Sequence, residues 1–443
     1  MVRRRLLSIG LGLAVAALTA ACQKEAPPPP PPPQKVEAPK PPPEVVVKIG
    51  QVSPLTGPQA HLGKDNDNGA RLAIEEANAK GLMIGGAKVK FELVSEDDQA
   101  DPKTGTIVAQ KLVDGKVAGV IGHLNSGTTI PASKIYNDAG IPQISPSATN
   151  PKYTEQGSKG AFRVMANDVQ QGKVLGEYAV GQMSAKRVAI VDDRTAYGQG
   201  LADEFEKAAK AGGATIVGRE YTTDKATEFR AILTGIKGKK PDLVFYGGMD
   251  AQAGPMAAQM KSLGVKAKLL GGDGAQSQEF IKLAGPAADG VVASSPGVPL
   301  DKMPGGKGFA DKFTGKYGQI QIYAPYAYDA TNTLIEAMQK ANSTDPAKYL
   351  PELAKTSRQG VTGPISFDDK GDLKNGPITL YVVKEGKWEP LATVGGEAAA
   401  PAAAPAAAPA ADKPAEKAEA PAAAPAAAPA ASSAPPAPPA EKK

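Results

Sequence analysis

Cysteine occurs once in the 443 residues, at Cys22, so the chain can form no internal disulfide. Histidine occurs twice, at His61 and His123, far apart and with neither a cysteine nor a metal-spaced acidic cluster beside them. That argues against a zinc site, and His123 reads as a packed loop residue. No Gly-x-Ser-x-Gly elbow occurs, and no cysteine outside the first 22 residues is there to act as a nucleophile. The chain is therefore expected not to be an enzyme and to need no cofactor or metal. Lysine and arginine never run together with interleaved aromatics, which excludes an extended nucleic-acid footprint. The apolar run Leu6 to Leu18 is shorter than the roughly 20 residues of a membrane span.

What the first residues do contain sets the expected compartment. Three arginines, Arg3 to Arg5, precede that apolar run, and Thr19-Ala20-Ala21 follow it, the three regions of an export signal. These arginines supply much of the formal charge of +5, so a processed chain is nearly balanced. The run Leu18 to Cys22, LTAAC, resembles the lipobox of bacterial lipoproteins, with its leucine one place further from the cysteine than usual. The resemblance implies lipidation of Cys22 and a periplasmic chain anchored by lipid to the cell-envelope membrane.

Both ends are unlike the middle. Residues 1–22 read as the signal and residues 23–44 as a proline-rich linker, in which Pro27 to Pro33 is unbroken. Proline fixes φ and removes donors, so the linker is expected to be a polyproline-II spacer. At about 3.1 Å per residue, Ala26 to Pro43 spans roughly 55 Å. Residues 397–443 hold PAAAPAAAPAA twice and read as a disordered tail, because a proline every fourth residue breaks the helix that alanine favours.

Between them the pattern is strand and helix in alternation. Val45 to Val52 is β-branched, Gly63 to Ala79 has helical spacing (Ala70, Ala73, Ile74, Ala77), and Val89 to Val94 alternates again. The pattern predicts helices over 102–113 and 128–138, strands over 117–121 and near Ile141, and a second series of the same kind from helix 169–183 to strand 268–270. Such alternation implies an α/β fold of two doubly wound parallel sheets, whose ligands bind at the carboxyl ends of the strands.

The stretches VVKIGQVSPLTG (46–57), IGHLNSGTTIPAS (121–133), ISPSATNP (144–151), YGQGLA (197–202) and FYGGMDAQAGP (245–255) resemble the branched-chain amino acid binding proteins of bacterial ABC importers. The resemblance runs to about Trp388. It implies the type I periplasmic-binding fold, with lobe 1 at 45–166 plus 297–377 and lobe 2 at 167–296 plus 378–396. The lobes are joined by three crossings near Ala166, Gly297 and Pro377 and close by hinge motion. It also implies capture of branched-chain or other small aliphatic amino acids, delivery to an inner-membrane permease, and a monomer.

An amino-acid zwitterion needs anion donors on one side and an anionic acceptor on the other. Asn125-Ser126-Gly127-Thr128 opens a helix, whose free N–H groups favour a carboxylate. The resemblance assigns Ser126, Ser147, Ala148 and Thr149 to gripping the carboxylate and ammonium. It assigns Asp273, in the stretch GGDG, to pairing with the ammonium, and Tyr197 to covering the ligand. Met249 and Leu62 shape the side-chain pocket where several relatives carry aromatics. Some relatives have Glu at the place of Asp273, and cysteines at those of Ala100 and Asn125. Read without the resemblance, Ser126 and Thr149 are also helix caps and Asp273 a turn residue. An envelope lipoprotein of this fold acting as a sensor or adaptor is the alternative.

Overall fold

The computed structural model describes residues 42–396. The export signal with Cys22, nearly all of the proline-rich linker and the alanine-proline tail lie outside the described residues.

The first sheet is built from β1 (Glu44–Ser53), β2 (Met83–Ile84), β3 (Ala87–Asp97), β4 (Val120–Gly122), β5 (Gln143–Ser145) and β6 (Ala161–Arg163), in the order β2-β3-β1-β4-β5-β6. Three helices connect them: α1 (Ala60–Lys80), α2 (Pro102–Asp114) and α3 (Ser126–Asp138). Sequence dictates the ends of these helices. Asp101 caps α2 by accepting from Thr104 N, with Pro102 at the first helical position, and α1 stops at Gly81 in the left-handed conformation. Leu62, Ala70, Ala73, Ile74 and Ala77 form the buried face of α1.

After α4 (Asp168–Gly181) a second sheet gathers β7 (Arg187–Asp192), β8 (Thr215–Tyr221), β9 (Leu243–Gly247), β10 (Lys268–Gly271) and β11 (Val292–Pro296). Its connecting helices are α5 (Ala196–Ala211), α6 (Arg230–Gly238), α7 (Asp250–Ser262) and α8 (Gln278–Ala284). The central strand β9, LVFYG, is buried at every residue, as a strand covered by helices on both faces must be.

The chain then returns to the first sheet. Helices α9 (Gly306–Tyr317), α10 (Ala324–Lys340) and α11 (Pro346–Ala354) follow, with α10 packed on α1, β4 and β5. A small hairpin, β12 (Ser357–Gln359) and β13 (Pro364–Ser366), precedes β14 (Ile378–Lys384) and β15 (Lys387–Val394), which complete the second sheet as β15-β14-β11-β10-β9-β7-β8.

The α/β fold and the pair of doubly wound sheets stand as the sequence implies, but neither sheet is parallel throughout. β2 runs antiparallel to β3, and β14 and β15 are antiparallel to their neighbours. The reason is local for two of them. Gly85-Gly86 and Glu385-Gly386 all have positive φ, which makes two-residue hairpin turns. β14 enters from the other half of the molecule without a crossover helix, so nothing forces it parallel.

The three passages between the halves lie side by side. Arg163 N donates to Gly371 O (3.0 Å) and Gly297 N to Pro377 O (2.7 Å). Arg163 is fully buried, with Nε 2.5 Å from Asp372 Oδ1 and its other nitrogens on the carbonyls of Ala148 and Asn150. One side chain therefore ties the first passage, the third passage and the loop after β5 together.

Candidate functional site

In each sheet the strand order reverses beside one strand, β1 in the first and β7 in the second. Ligand crevices form outside the carboxyl ends of strands at such points. The loops after β4, β5, β7, β9 and β10 do face one another there, across a gap of about 10 Å³, room for about one water. Ser126, Ser147, Tyr197, Met249 and Asp273, all read from the sequence, border it together with Leu124, Asn125 and Tyr323.

Asp273 is the most constrained of them. Its side chain is buried, Oδ1 accepts from the Tyr197 hydroxyl (2.7 Å) and Gln171 Nε2 (3.0 Å), and Oδ2 accepts from the Tyr323 hydroxyl (2.8 Å). Burial raises its carboxyl above the usual carboxylate range, and these hydrogen bonds hold it back towards ionisation. Gly272 and Gly274 flank it because a Cβ at either would meet the Tyr197 ring or hydroxyl within 3 Å. The GGDG stretch is thus a close-packed platform under Tyr197, whose hydroxyl also accepts from Gly274 N (2.9 Å).

Opposite it, Asn125 precedes α3 and Ser126 is its first residue. The opening N–H groups of a helix have no carbonyl behind them, so this end is suited to an anion. The Ser126 hydroxyl accepts from Asn150 N (3.2 Å), and Ser147 Oγ donates to Leu124 O (3.0 Å). Asn125 Nδ2 donates to Gln59 Oε1 (2.7 Å).

Three of the sequence candidates do not border the gap. Ala148 and Thr149 lie just behind it, with Ala148 O held by Arg163. The buried Thr149 hydroxyl makes no well-aligned hydrogen bond. Leu62, in the first turn of α1, is packed in the core. His123 is a buried loop residue, its ring nitrogens on Asp98 Oδ2 (2.9 Å) and the Tyr136 hydroxyl (3.0 Å).

The structure adds residues that the sequence reading missed. Tyr323 is brought in by Asp65 of α1, whose buried carboxylate accepts from the N–H groups of Gln321, Ile322, Tyr323 and Ala324 at the start of α10. Gln171 clamps Asp273 through both ends of its amide. Asp168, at the start of α4, is wholly buried with both carboxylate oxygens unpaired. Burial, and then the charge of Asp273, push its carboxyl up to about 8, with Thr149 and Arg163 pulling the other way. The signal for Tyr323 was an aromatic at a helix start, and for Asp168 and Gln171 the capping box Asn167–Gln170 that opens α4.

This arrangement offers a helix N-terminus and hydroxyls on one wall and a buried carboxylate on the other. That is the complement of a small zwitterion.

Residues 46–387 match a family model described as periplasmic binding protein. The chain is 38% identical over 349 residues to the Leu/Ile/Val-binding protein homolog 1 of Brucella melitensis, across 78% of this chain and 91% of that one. It is 38% identical over 341 residues to an amino acid binding protein of Pseudomonas aeruginosa, across 76% and 90%. Among solved structures it is similar to a leucine-binding protein of Thermotoga maritima (TM-score 0.73, 28% identity, 79% of this chain and 98% of that one). A branched-chain amino acid transporter substrate-binding protein of Streptococcus pneumoniae, in complex with isoleucine, gives a TM-score of 0.72 at 29% identity over 80% and 100%.

Proposed function

The chain belongs to the periplasmic binding protein family, and from that premise we propose that it is the solute-capturing component of an ABC importer. It takes up branched-chain or other small aliphatic amino acids and catalyses no reaction. The observation that carries this is the buried Asp273 carboxylate facing the opening turn of α3 across a narrow gap. The solute's carboxylate meets the N–H groups and hydroxyls around Ser126, Ser147, Ala148 and Thr149, and its ammonium meets Asp273, displacing the Tyr323 or Tyr197 hydroxyl bond. Tyr197 closes over its backbone, and Met249 flanks its side chain, while Leu62 supports that wall from the core behind it.

A gap with room for about one water cannot admit leucine, so the halves 45–166 plus 297–377 and 167–296 plus 378–396 separate about the three passages to load it. In this reading Cys22 carries the lipid anchor, residues 23–44 form a stalk, the chain works as a monomer, and an inner-membrane permease receives the solute.

Thermal unfolding with and without leucine tests the assignment. A solute at 100 times its dissociation constant stabilises by about 2.7 kcal/mol. The wild-type chain is expected to shift accordingly. Asp273→Asn should unfold near the wild-type temperature without solute and show no shift with it. An undiminished shift in that variant removes Asp273 from the site.

A further inference from the structure

At the rim of the gap, outside the residues that border it, one ion pair joins the two halves. His61, second residue of α1, has Nε2 at 2.7 Å from Oδ2 of Asp250, first residue of α7. Asp250 is fixed on its own half: its side chain is wholly buried, Oδ1 accepts from Ala251 N (2.8 Å) and Oδ2 from Ser277 Oγ (2.5 Å). It also stands in the first turn of a helix, where the dipole favours a negative charge. The His61 side chain, by contrast, is 23% exposed and contributes nothing else to that cluster. Separating the halves leaves the Ser277 bond intact and breaks the His61 bond.

The charged groups that act most strongly on His61 are acidic: Asp250 on α7, Glu279 in the first turn of α8, and Asp65 further along α1. Burial works against a charge on the imidazole, but the hydrogen bond and the attraction of Asp250, reinforced by Glu279 and Asp65, outweigh it and raise its pKa above the ordinary value. We propose that His61 and Asp250 form a proton-dependent latch that holds the cleft shut on its solute. They are positioning residues, acting through closure and not by touching the solute.

The sign follows from where the proton goes. In the open form His61 loses the Asp250 carboxylate and faces water, so its pKa falls back towards the ordinary imidazole value. On closing it gains carboxylate neighbours, so closure takes up a proton. The latch is at full strength below about pH 6.5 and is lost as the pH rises through the higher closed-form value.

The effect on affinity rests on the solute-capture reading, whereas the contact itself does not. Leucine is titrated into the full chain and into His61→Gln, which keeps a neutral hydrogen-bond donor but cannot titrate. At about pH 5.5 the variant is expected to bind up to about tenfold more weakly, and at about pH 8.5 equally well. Contributions from Asp168 and Asp273 are common to both proteins and cancel in the ratio. A ratio that does not change with pH overturns the latch.

Without reference to any solute, the chain has two histidines, so its imidazole NMR signals follow His61 directly. Asp250→Asn is expected to lower the His61 midpoint, and an unmoved midpoint overturns the pair. If leucine fails to bind the wild type, the capture reading falls, and the NMR titration still decides the latch.

Discussion

Asp168 and Asp273 are two buried carboxyl groups that repel each other, and the molecule treats them differently. Asp273 receives hydrogen bonds from Tyr197, Tyr323 and Gln171, while Asp168 receives no well-aligned one and only the Thr149 hydroxyl favours its charged form in this way. Burial, and then the charge of Asp273, push the Asp168 carboxyl up to about 8, far above the unfolded-chain value near 3.9. Across that interval the folded state holds a proton that the unfolded state has lost, so this group makes stability fall as pH rises from about 4 to about 8. Asp168→Asn replaces the neutral acid with a neutral isostere that cannot ionise. Its melting temperature relative to wild type is expected to climb between about pH 5 and about pH 8 and to level off above. A pH-independent difference contradicts the account.

Residues of this kind mark the limit of sequence reading at this scale. Asp273 was legible because its glycine-flanked stretch follows a strand and carries a resemblance. Its partners Gln171 and Tyr323 stand 102 and 50 residues away and reach it only through the tertiary fold. The His61–Asp250 pair, 189 residues apart, left no local trace at all.

Among the elements, those with both a period and a cap were read closely. The start of α2 at Pro102 is where its Asp-Pro signal puts it, and α4 begins one residue before the predicted 169 because Asn167 and Gln170 close a capping box. α3 begins at Ser126, two residues before the predicted 128, with the Asn125 carbonyl accepting its first backbone bonds from Thr128 N and Thr129 N. Strand 117–121 shrinks to Val120–Gly122, since its partners β1 and β5 pair with it over only a few residues. The antiparallel edges were missed because their hairpins carry no long alternating run.

One helix contact is set by absent side chains. On α4, a Cβ at Gly172 or Gly176 would come within 2.5 Å of the Cβ of Glu204 or Ala208 on α5. Nothing lies within 4 Å of the position a Cβ would take at Gly181, the last residue of the same helix. Gly172→Ala and Gly176→Ala are expected to cost about 1–3 kcal/mol each by forcing the helices apart. Gly181→Ala should be neutral or stabilising by up to about 1 kcal/mol. Urea unfolding of the three variants checks this, and equal stabilities would show that α4 and α5 are not in contact through these glycines.

For the whole molecule, the passages near Arg163, Gly297 and Asp372 concentrate the covalent and hydrogen-bonded links between the halves on one side. On the other side, the Asp273–Tyr323 bond and the His61–Asp250 pair are side-chain contacts that separation breaks without disturbing either sheet. This division suits a molecule that opens about one edge and shuts on the other. The alternation of strands and helices made the two sheets legible. The division of the chain between them was not visible in the pattern itself, because α9 to α11 and β14 look alike whichever sheet they join.

Whether one small zwitterion bridges the two walls of the gap is decided by a crystal structure of the full chain grown with leucine. The leucine carboxylate is expected on the opening turn of α3 and Ser126, and its ammonium at about 3 Å from Asp273. Leucine bound elsewhere, or a gap still filled by Tyr197, Tyr323 and Met249 at millimolar leucine, would contradict it.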